Sequence, residues 1–131
     1  MTKPRARVLV VDDEDLNREL LRRVLGAAYD VREAADAFQA MTELVVNGPV
    51  DVVVCDQLMP GKSGTMFARE VKEKWPSIVT ILLTGYADSG DVLDAQQSGV
   101  IFEVVGKPML VSEFRDIVMR AEAEGNRRRQ A

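Results

Sequence analysis

The chain contains no histidine and only one cysteine among its 131 residues. Without histidine, a Ser-His-Asp triad and a His-ligated zinc site are both excluded. A single cysteine cannot form an intrachain disulfide, and Cys55 lies inside an apolar run, where it is most simply a small core residue. Any chemistry performed by this chain must therefore use other side chains.

Long hydrophobic runs and an excess of positive charge are also missing. No apolar run approaches the length of a membrane span, and the run at residues 8–11 is too short for a signal peptide. The net charge of -4 is not that of a nucleic-acid-binding protein. The one basic cluster, at residues 127–129, is expected to be a solvated chain end. We therefore expect a cytoplasmic protein that binds neither membranes nor nucleic acid directly.

The composition is that of a soluble globular domain, with 47% hydrophobic and 29% charged residues. A chain of this length buries roughly two-thirds of the surface exposed by its unfolded state. We predict a single domain over residues 1–131, with a core at about 7–123. Residues 124–131 are expected to form a basic tail or the start of a linker.

Short apolar runs recur along the chain and predict five β-strands. They lie at residues 8–11, about 29–34, 52–55, 78–83 and 100–105. Apolar residues at helical spacing follow each run: Leu16, Leu20, Leu21, Val24 and Leu25; Ala37, Met41, Leu44 and Val45; Phe67, Val71 and Trp75; Val92 and Ala95; and Phe114, Ile117, Val118 and Ala121. Ser112 is a candidate N-cap of the last helix. Alternating strands and helices predict an α/β fold with a parallel sheet covered on both faces.

The first and third runs are the most hydrophobic, so we place these strands at the centre of the sheet. The flavodoxin-like arrangement then gives the strand order 2-1-3-4-5 in a three-layer sandwich. Ligands of such folds bind outside the carboxyl ends of the strands, where strands 1 and 3 flank the change in strand order. Asp12, Asp13 and Asp56 should meet there, and Thr84 and Lys107 should reach the same edge from strands 4 and 5.

These side chains suit phosphoryl chemistry. Three neighbouring carboxylates repel one another unless a cation lies between them, and Mg²⁺ prefers oxygen ligands and bridges to phosphate. A carboxylate beside Mg²⁺ can attack a phosphoryl donor to form an acyl phosphate. The Thr84 hydroxyl and Lys107 ammonium can both bond to phosphoryl oxygens. Alone, an acidic pair is often a helix cap and a strand-end threonine is usually structural; their combination at four strand ends is the stronger signal.

The chain resembles the response-regulator receiver domains of two-component signalling, including the chemotaxis-regulator type. The resemblance covers residues 7–123 and is carried by Asp12-Asp13, Asp56 with Met59-Pro60-Gly61 and Gly64, Thr84-Gly85, and Lys107-Pro108. It implies Asp56 as phosphoacceptor; Asp13, Asp56 and the Leu58 backbone carbonyl as Mg²⁺ ligands; Asp12 as an indirect ligand; Thr84 and Lys107 as phosphoryl-binding groups; and a cis peptide bond before Pro108.

The implied function is that of a switch. A histidine kinase or phosphotransfer protein would phosphorylate Asp56 in the presence of Mg²⁺, and the changed conformation would regulate an output domain or partner protein. The chain would catalyse only its own phosphorylation and slow dephosphorylation. Homodimerisation on phosphorylation stays open, as does whether the chain acts alone or within a longer regulator.

One position departs from the family pattern. The family usually carries an aromatic residue three positions before the lysine, a ring that turns inward when the threonine moves. This chain has Val104 there. Because side chains alternate along a strand, Phe102 is expected to share a face with Val104, and Tyr86 could also supply a ring nearby.

Three alternatives remain. A haloacid-dehalogenase-type phosphatase also uses a strand-end aspartate with Mg²⁺, but it carries a second acid two residues later, where this chain has Leu58. A degenerate receiver could act as a phosphorylation-independent interaction module, although it would be expected to lack a site residue. In a flavodoxin the first loop must hold a phosphate, which the acidic residues 12–15 would repel.

Overall fold

A computed structural model describes residues 4–131, in which five strands alternate with five helices. The elements are β1 (Arg7–Val11), α1 (Asp15–Leu25), β2 (Asp30–Ala34), α2 (Ala37–Asn47), β3 (Val52–Cys55), α3 (Gly64–Lys74), β4 (Val79–Thr84), α4 (Gly90–Gln97), β5 (Glu103–Gly106) and α5 (Val111–Gln130). All strand pairs are parallel, and the order is β2-β1-β3-β4-β5. The predicted fold class and strand order are confirmed.

Both faces of the sheet are covered, which explains why the central strands are continuously apolar. Val53 and Cys55 of β3 pack into a core shared with α2, α3 and α4. Val52 and Val54 point to the opposite core, which α1 and α5 cover. The sheet is thus the middle layer of a three-layer sandwich.

The register of the strands brings their ends to a common edge. Val11 pairs with Cys55 across β1 and β3, and Cys55 pairs with Leu82 across β3 and β4. Thr84, the last residue of β4, pairs with Gly106 at the end of β5. We call this the C-terminal edge of the sheet, and the opposite edge, where the strands begin, the N-terminal edge. The loops after β1, β3, β4 and β5 all leave from the C-terminal edge.

The predicted relation between Phe102 and Val104 is wrong. Strand β5 begins only at Glu103, and Phe102 lies in a bend before it, with its N–H donating to the Thr80 carbonyl at 2.8 Å. Phe102 packs against the core on the α1 and α5 side, whereas Val104 packs against the other core. Side-chain alternation holds only within a regular strand, so the bend turns Phe102 to the opposite face.

Helix α5 begins earlier and ends later than expected. It starts at Val111 after Leu110, so Ser112 lies inside the first turn and is not the N-cap. It continues to Gln130, well beyond the expected core limit. Within residues 4–131, no helix combines the length and apolar character needed to cross a membrane.

Ion pairs explain the length of α5. Glu124 accepts hydrogen bonds from Arg127 and Arg128 one turn later, the spacing at which helical side chains are neighbours. Arg128 also donates to two backbone carbonyls just before β4, each at 3.3 Å, and Arg129 lies 3.2 Å from Asp51 just before β3. The basic cluster thus joins the end of α5 to the N-terminal edge, and its continuation as a linker stays a prediction.

Candidate functional site

Asp56 follows β3 directly and lies at the C-terminal edge. Its backbone N–H donates to the Val11 carbonyl at 3.1 Å, which extends the pairing of β3 with β1 by one residue. Its Oδ1 accepts from the backbone N–H groups of Gln57 at 2.6 Å and Leu58 at 3.4 Å. Its Oδ2 accepts from Lys107 Nζ at 2.9 Å. The following loop and a distant lysine therefore fix both oxygens of this carboxylate.

Lys107 is shared between two carboxylates. Its Nζ lies 2.9 Å from Asp56 Oδ2 and 3.5 Å from Asp12 Oδ2. Burial alone would lower the pKa of Lys107, but the hydrogen bond to Asp56 and the charges of Asp56 and Asp12 outweigh it and raise the pKa above its usual value. The peptide bond to Pro108 is cis, as expected. Lys107 is therefore a fixed positive charge between residues that follow β1 and β3.

The two acids after β1 differ in their surroundings. Asp12 is 3% exposed, and its carboxylate accepts from the Glu14 N–H at 2.9 Å and from Asn17 Nδ2 at 3.2 Å, besides Lys107. Asp13 is exposed, and within residues 4–131 no hydrogen bond or ion pair engages its carboxylate. Asp13 is thus the acid of this pair that is available to an incoming cation.

Thr84 closes the turn after β4. It is fully buried, and its Oγ1 accepts from the Tyr86 N–H at 3.2 Å. Its backbone carbonyl accepts from the Lys107 N–H at 3.1 Å, so β4 and β5 present Thr84 and Lys107 side by side. Tyr86 itself is 56% exposed. The hydroxyl of Thr84 is therefore tied to the backbone of the loop that leads into α4.

The sequence reasoning missed a set of polar supports around these acids. Arg18 on α1 donates to the Asp12 carbonyl at 2.6 Å, forms an ion pair with Asp15, and lies 3.5 Å from Glu33 at the end of β2. The spacing of Asp15 and Arg18 could have indicated their pairing. Nothing in the sequence indicated the contacts with the Asp12 carbonyl and Glu33, because they depend on how α1 packs.

Gln57 is the second missed residue, a buried amide immediately after Asp56. Its side chain contacts the first turn of α3, where it bonds to Thr65. Gly64 begins that turn, and a Cβ there would lie only 2.2 Å from the Asp56 carbonyl oxygen. Gly64 was identified from its motif alone, and the structure supplies the physical reason for glycine at this position.

The donor atoms at this edge fit Mg²⁺, which takes carboxylate, carbonyl and water oxygens. Within residues 4–131, no group of three or more His, Cys, Asp or Glu side chains is arranged to hold a metal ion. The expected set needs fewer, because it consists of the Asp13 and Asp56 carboxylates, the Leu58 carbonyl and water. The chemistry of these donors is compatible with that ion.

Comparison with known proteins gives a consistent result. Residues 8–119 match the family model described as the response regulator receiver domain. The chain is 40% identical over 126 residues to the hydrogenase transcriptional regulatory protein HoxA of Cupriavidus necator, covering 95% of this chain and 26% of HoxA. The transcriptional regulatory protein AruR of Pseudomonas aeruginosa is 36% identical, with 95% and 55% covered. The chain thus spans about a quarter of HoxA.

Solved structures show the same architecture. The signal receiver domain of an HD domain-containing protein from Pseudomonas fluorescens has a TM-score of 0.91 at 26% identity, covering 99% of this chain and 96% of that one. The response regulator protein TrrA from Thermotoga maritima, in complex with Mg²⁺-BeF, has a TM-score of 0.79 at 32% identity, covering 88% and 98%.

Proposed function

Because the chain belongs to the response-regulator receiver domains of two-component systems, we propose that it is switched by phosphorylation of Asp56. The phosphoryl group would come from a phosphohistidine of a histidine kinase or phosphotransfer protein, with Mg²⁺ present. One observation carries the proposal: Asp56 and Asp12 share the Lys107 ammonium at the C-terminal edge, while Asp13 is available to a cation.

The proposed reaction is a direct transfer. An Asp56 carboxylate oxygen attacks phosphorus, and the bond from phosphorus to the donor nitrogen breaks with its electrons leaving on that nitrogen. Asp13, Asp56 and the Leu58 carbonyl would hold Mg²⁺, which when bound neutralises charge on the phosphoryl group. Lys107 supplies positive charge for the phosphoryl oxygens, and Thr84 can donate a hydroxyl hydrogen bond to them. The chain would otherwise catalyse only slow loss of the same group.

The conformational response would start at Thr84. Phosphorylation adds about -1.5 to -2 charge and three acceptor oxygens at Asp56. If the Thr84 hydroxyl turns toward them, its bond from the Tyr86 N–H is lost, and residues 85–91 are released. Because Lys107 already bonds to Asp56, the bond newly gained is that of Thr84, which contributes roughly 1.5–3 kcal/mol. Moving an equilibrium from 1:99 to 99:1 needs about 5.5 kcal/mol, so this bond alone gives a partial shift. Val104 is too small to replace an inward-turning ring, so we place the response in this loop and the start of α4.

The output would lie outside the residues described. HoxA and AruR carry the name of transcriptional regulators, and the chain spans only part of each. We propose that the switched surface acts on an output domain of a longer regulator or on a separate partner protein. A phosphorylation-independent interaction module is the competing proposal.

Labelling by a small acyl phosphate tests the assignment. We expect one phosphoryl group per chain, dependent on a divalent cation and absent in Asp56→Asn, which keeps the shape but removes the nucleophile. Asp51→Asn, at the N-terminal edge, is the matched control and should be labelled normally. Stoichiometric labelling of Asp56→Asn would refute the acceptor, continuous phosphate release would favour a phosphatase, and no labelling of the unmodified chain would favour the interaction module.

Hydrogen exchange with Mg²⁺ and beryllofluoride tests the response. We expect altered protection at residues 85–91. A change confined to residues 100–105 and 114–119 would contradict this location.

A further inference from the structure

Gln57, which follows the proposed phosphoacceptor, makes three hydrogen bonds to the start of α3, two through its side chain and one through its backbone. It is 4% exposed. Its Oε1 accepts from the Thr65 N–H at 2.9 Å, and its Nε2 donates to Thr65 Oγ1 at 3.2 Å. Its backbone carbonyl accepts from the Gly64 N–H at 3.0 Å. One residue is therefore bonded three times to the start of α3.

These bonds close the loop formed by residues 58–63 at its base. The Thr65 N–H belongs to the first turn of α3, where backbone N–H groups have no helical acceptor, and the Gln57 amide supplies one. Gly64 holds the other side of the base against the Asp56 carbonyl, since a Cβ would lie 2.2 Å from that oxygen. The two ends of the loop are thus fixed relative to each other and to Asp56.

The interior of the loop is constrained as well. The Lys62 N–H donates to the Pro60 carbonyl at 3.1 Å, and Gly61 adopts a positive φ of 83° that favours glycine. The first residue of this loop is Leu58, whose N–H also donates to Asp56 Oδ1. The loop is thus fixed both at its base and at its turn. The orientation of the Leu58 peptide between them then depends on Gln57, the residue that precedes it.

We propose that Gln57 is a positioning residue for the metal site: its amide holds the Leu58 backbone so that the Leu58 carbonyl can serve as a cation ligand. This inference rests on the proposed function, in which that carbonyl binds Mg²⁺. Gln57 touches neither the phosphoryl group nor the cation. Its loss should therefore weaken Mg²⁺ binding while leaving phosphoryl transfer intact once the site is saturated.

The uncharged amide makes the test direct. Gln57→Met has a similar length but no hydrogen-bonding group, so it leaves the charge of the acidic site unchanged. Residues that orient metal ligands typically alter affinity by 10–100-fold when they are replaced. Because the loop keeps its other bonds at Gly64 and Lys62, we expect the smaller effect, about tenfold.

Calorimetric titration of the full chain with Mg²⁺, without a phosphoryl donor, measures this effect. Gln57→Met and Thr65→Val should each raise the dissociation constant, the former about tenfold. Thr65→Ser, which keeps the hydroxyl, should bind Mg²⁺ as the unmodified chain does. The bond from Gln57 Nε2 to Thr65 Oγ1 is lost in both variants, and Gln57→Met also loses the bond from the Thr65 N–H. The double variant should therefore bind Mg²⁺ about as weakly as Gln57→Met.

A second readout separates positioning from general stability. With an acyl phosphate, the labelling rate of Gln57→Met should fall at limiting Mg²⁺ and recover at saturating Mg²⁺. Val71→Ala is the matched control: it removes buried methyl groups from the same helix, far from the loop, and should leave Mg²⁺ affinity unchanged.

The inference would be overturned if Gln57→Met bound Mg²⁺ as tightly as the unmodified chain, or if its Mg²⁺ affinity fell no further than that of Val71→Ala. If Gln57→Met does not fold, Thr65→Val serves as the test, because it removes only the bond from Gln57 Nε2. Its dissociation constant should still exceed those of Thr65→Ser and Val71→Ala, and the inference fails if it does not. Should the unmodified chain neither bind Mg²⁺ nor become labelled, the inference and the proposed function both fail. If the unmodified chain does both and every variant matches it, only the inference fails.

Discussion

The two edges of the sheet carry the same kinds of charge and differ in how fully those charges are paired. At the N-terminal edge, Asp51 accepts from the Arg7 N–H at 2.7 Å and pairs with Arg129 at 3.2 Å. At the C-terminal edge, Asp12 and Asp56 share the single ammonium of Lys107.

The difference separates charges that are paired within the chain from charges that leave room for a ligand. At the N-terminal edge, Asp51 has its own cationic partner in Arg129, and this pair binds the end of α5 to the start of β3. At the C-terminal edge, acids outnumber cations, and the Asp13 carboxylate has no partner among residues 4–131. Crowded like charges are costly unless something else binds, so an excess of one sign in a rigid cleft indicates a ligand better than charge alone does.

The largest difference between the edges, measured as the change in the free energy of unfolding, should follow from replacing a glycine by alanine. In Gly64→Ala the new Cβ would lie 2.2 Å from a backbone oxygen, so we expect a loss of about 3 kcal/mol in the free energy of unfolding. In Gly125→Ala the nearest atoms lie 3.4 to 3.6 Å away, which is ordinary contact. There we expect a gain of about 0.5–1 kcal/mol, because alanine is favoured over glycine within helices. Urea denaturation measures the free energy of unfolding of both variants. Similar losses of stability in the two variants would contradict the difference between the edges.

A smaller difference in the free energy of unfolding should follow from removing one positively charged side chain at each edge. Lys107→Met leaves two partly buried carboxylates without their shared partner, so we expect a loss of about 1.5–3 kcal/mol in the absence of Mg²⁺. Arg129→Met removes an exposed ion pair and should cost about 0–1 kcal/mol. Mg²⁺ should restore much of the stability of Lys107→Met and none of that of Arg129→Met. Equal losses without Mg²⁺ would argue against a difference between the edges.

The smallest effect concerns pH. Hydrogen bonds from Arg127 and Arg128 lower the pKa of Glu124 to about 2. This pKa lies below the value of about 4.3 in the unfolded state. The contribution of Glu124 to stability is therefore fully present above about pH 4.3, and it is lost as the pH falls through about 2. Lys107 has a raised pKa, so its contribution is lost only as pH rises through that value. Glu124→Gln should therefore flatten the acid side of a stability profile and leave the alkaline side unchanged.

The parts predictable from sequence were those that follow from strand order. In the strand order 2-1-3-4-5, Asp56, Thr84 and Lys107 must reach one edge, because parallel strands end together. The bonds from Gln57 and Arg18 could not be predicted, since they depend on how α3 and α1 dock. The expected position of Phe102 is wrong because side-chain alternation does not extend before the start of β5 at Glu103.

The length of α5 was missed for a different reason. Residues 124–130 have no apolar stripe, so apolar periodicity does not predict a helix there. The spacing of Glu124 with Arg127 and Arg128 was visible and could have extended the helix. Charged pairs thus mark the end of this helix better than hydrophobic residues do.

Helix α5 also connects the two edges of the sheet. Its 20 residues rise about 1.5 Å each, giving a rod of roughly 30 Å. Its first turn follows the loop that carries Lys107. At its last turn, Arg128 and Arg129 contact the N-terminal edge of the sheet. Both ends of the helix therefore contact the sheet, and neither projects freely from the domain. A displacement of its first turn at the loop after β5 would therefore bear on the contacts of Arg128 and Arg129, about 30 Å away.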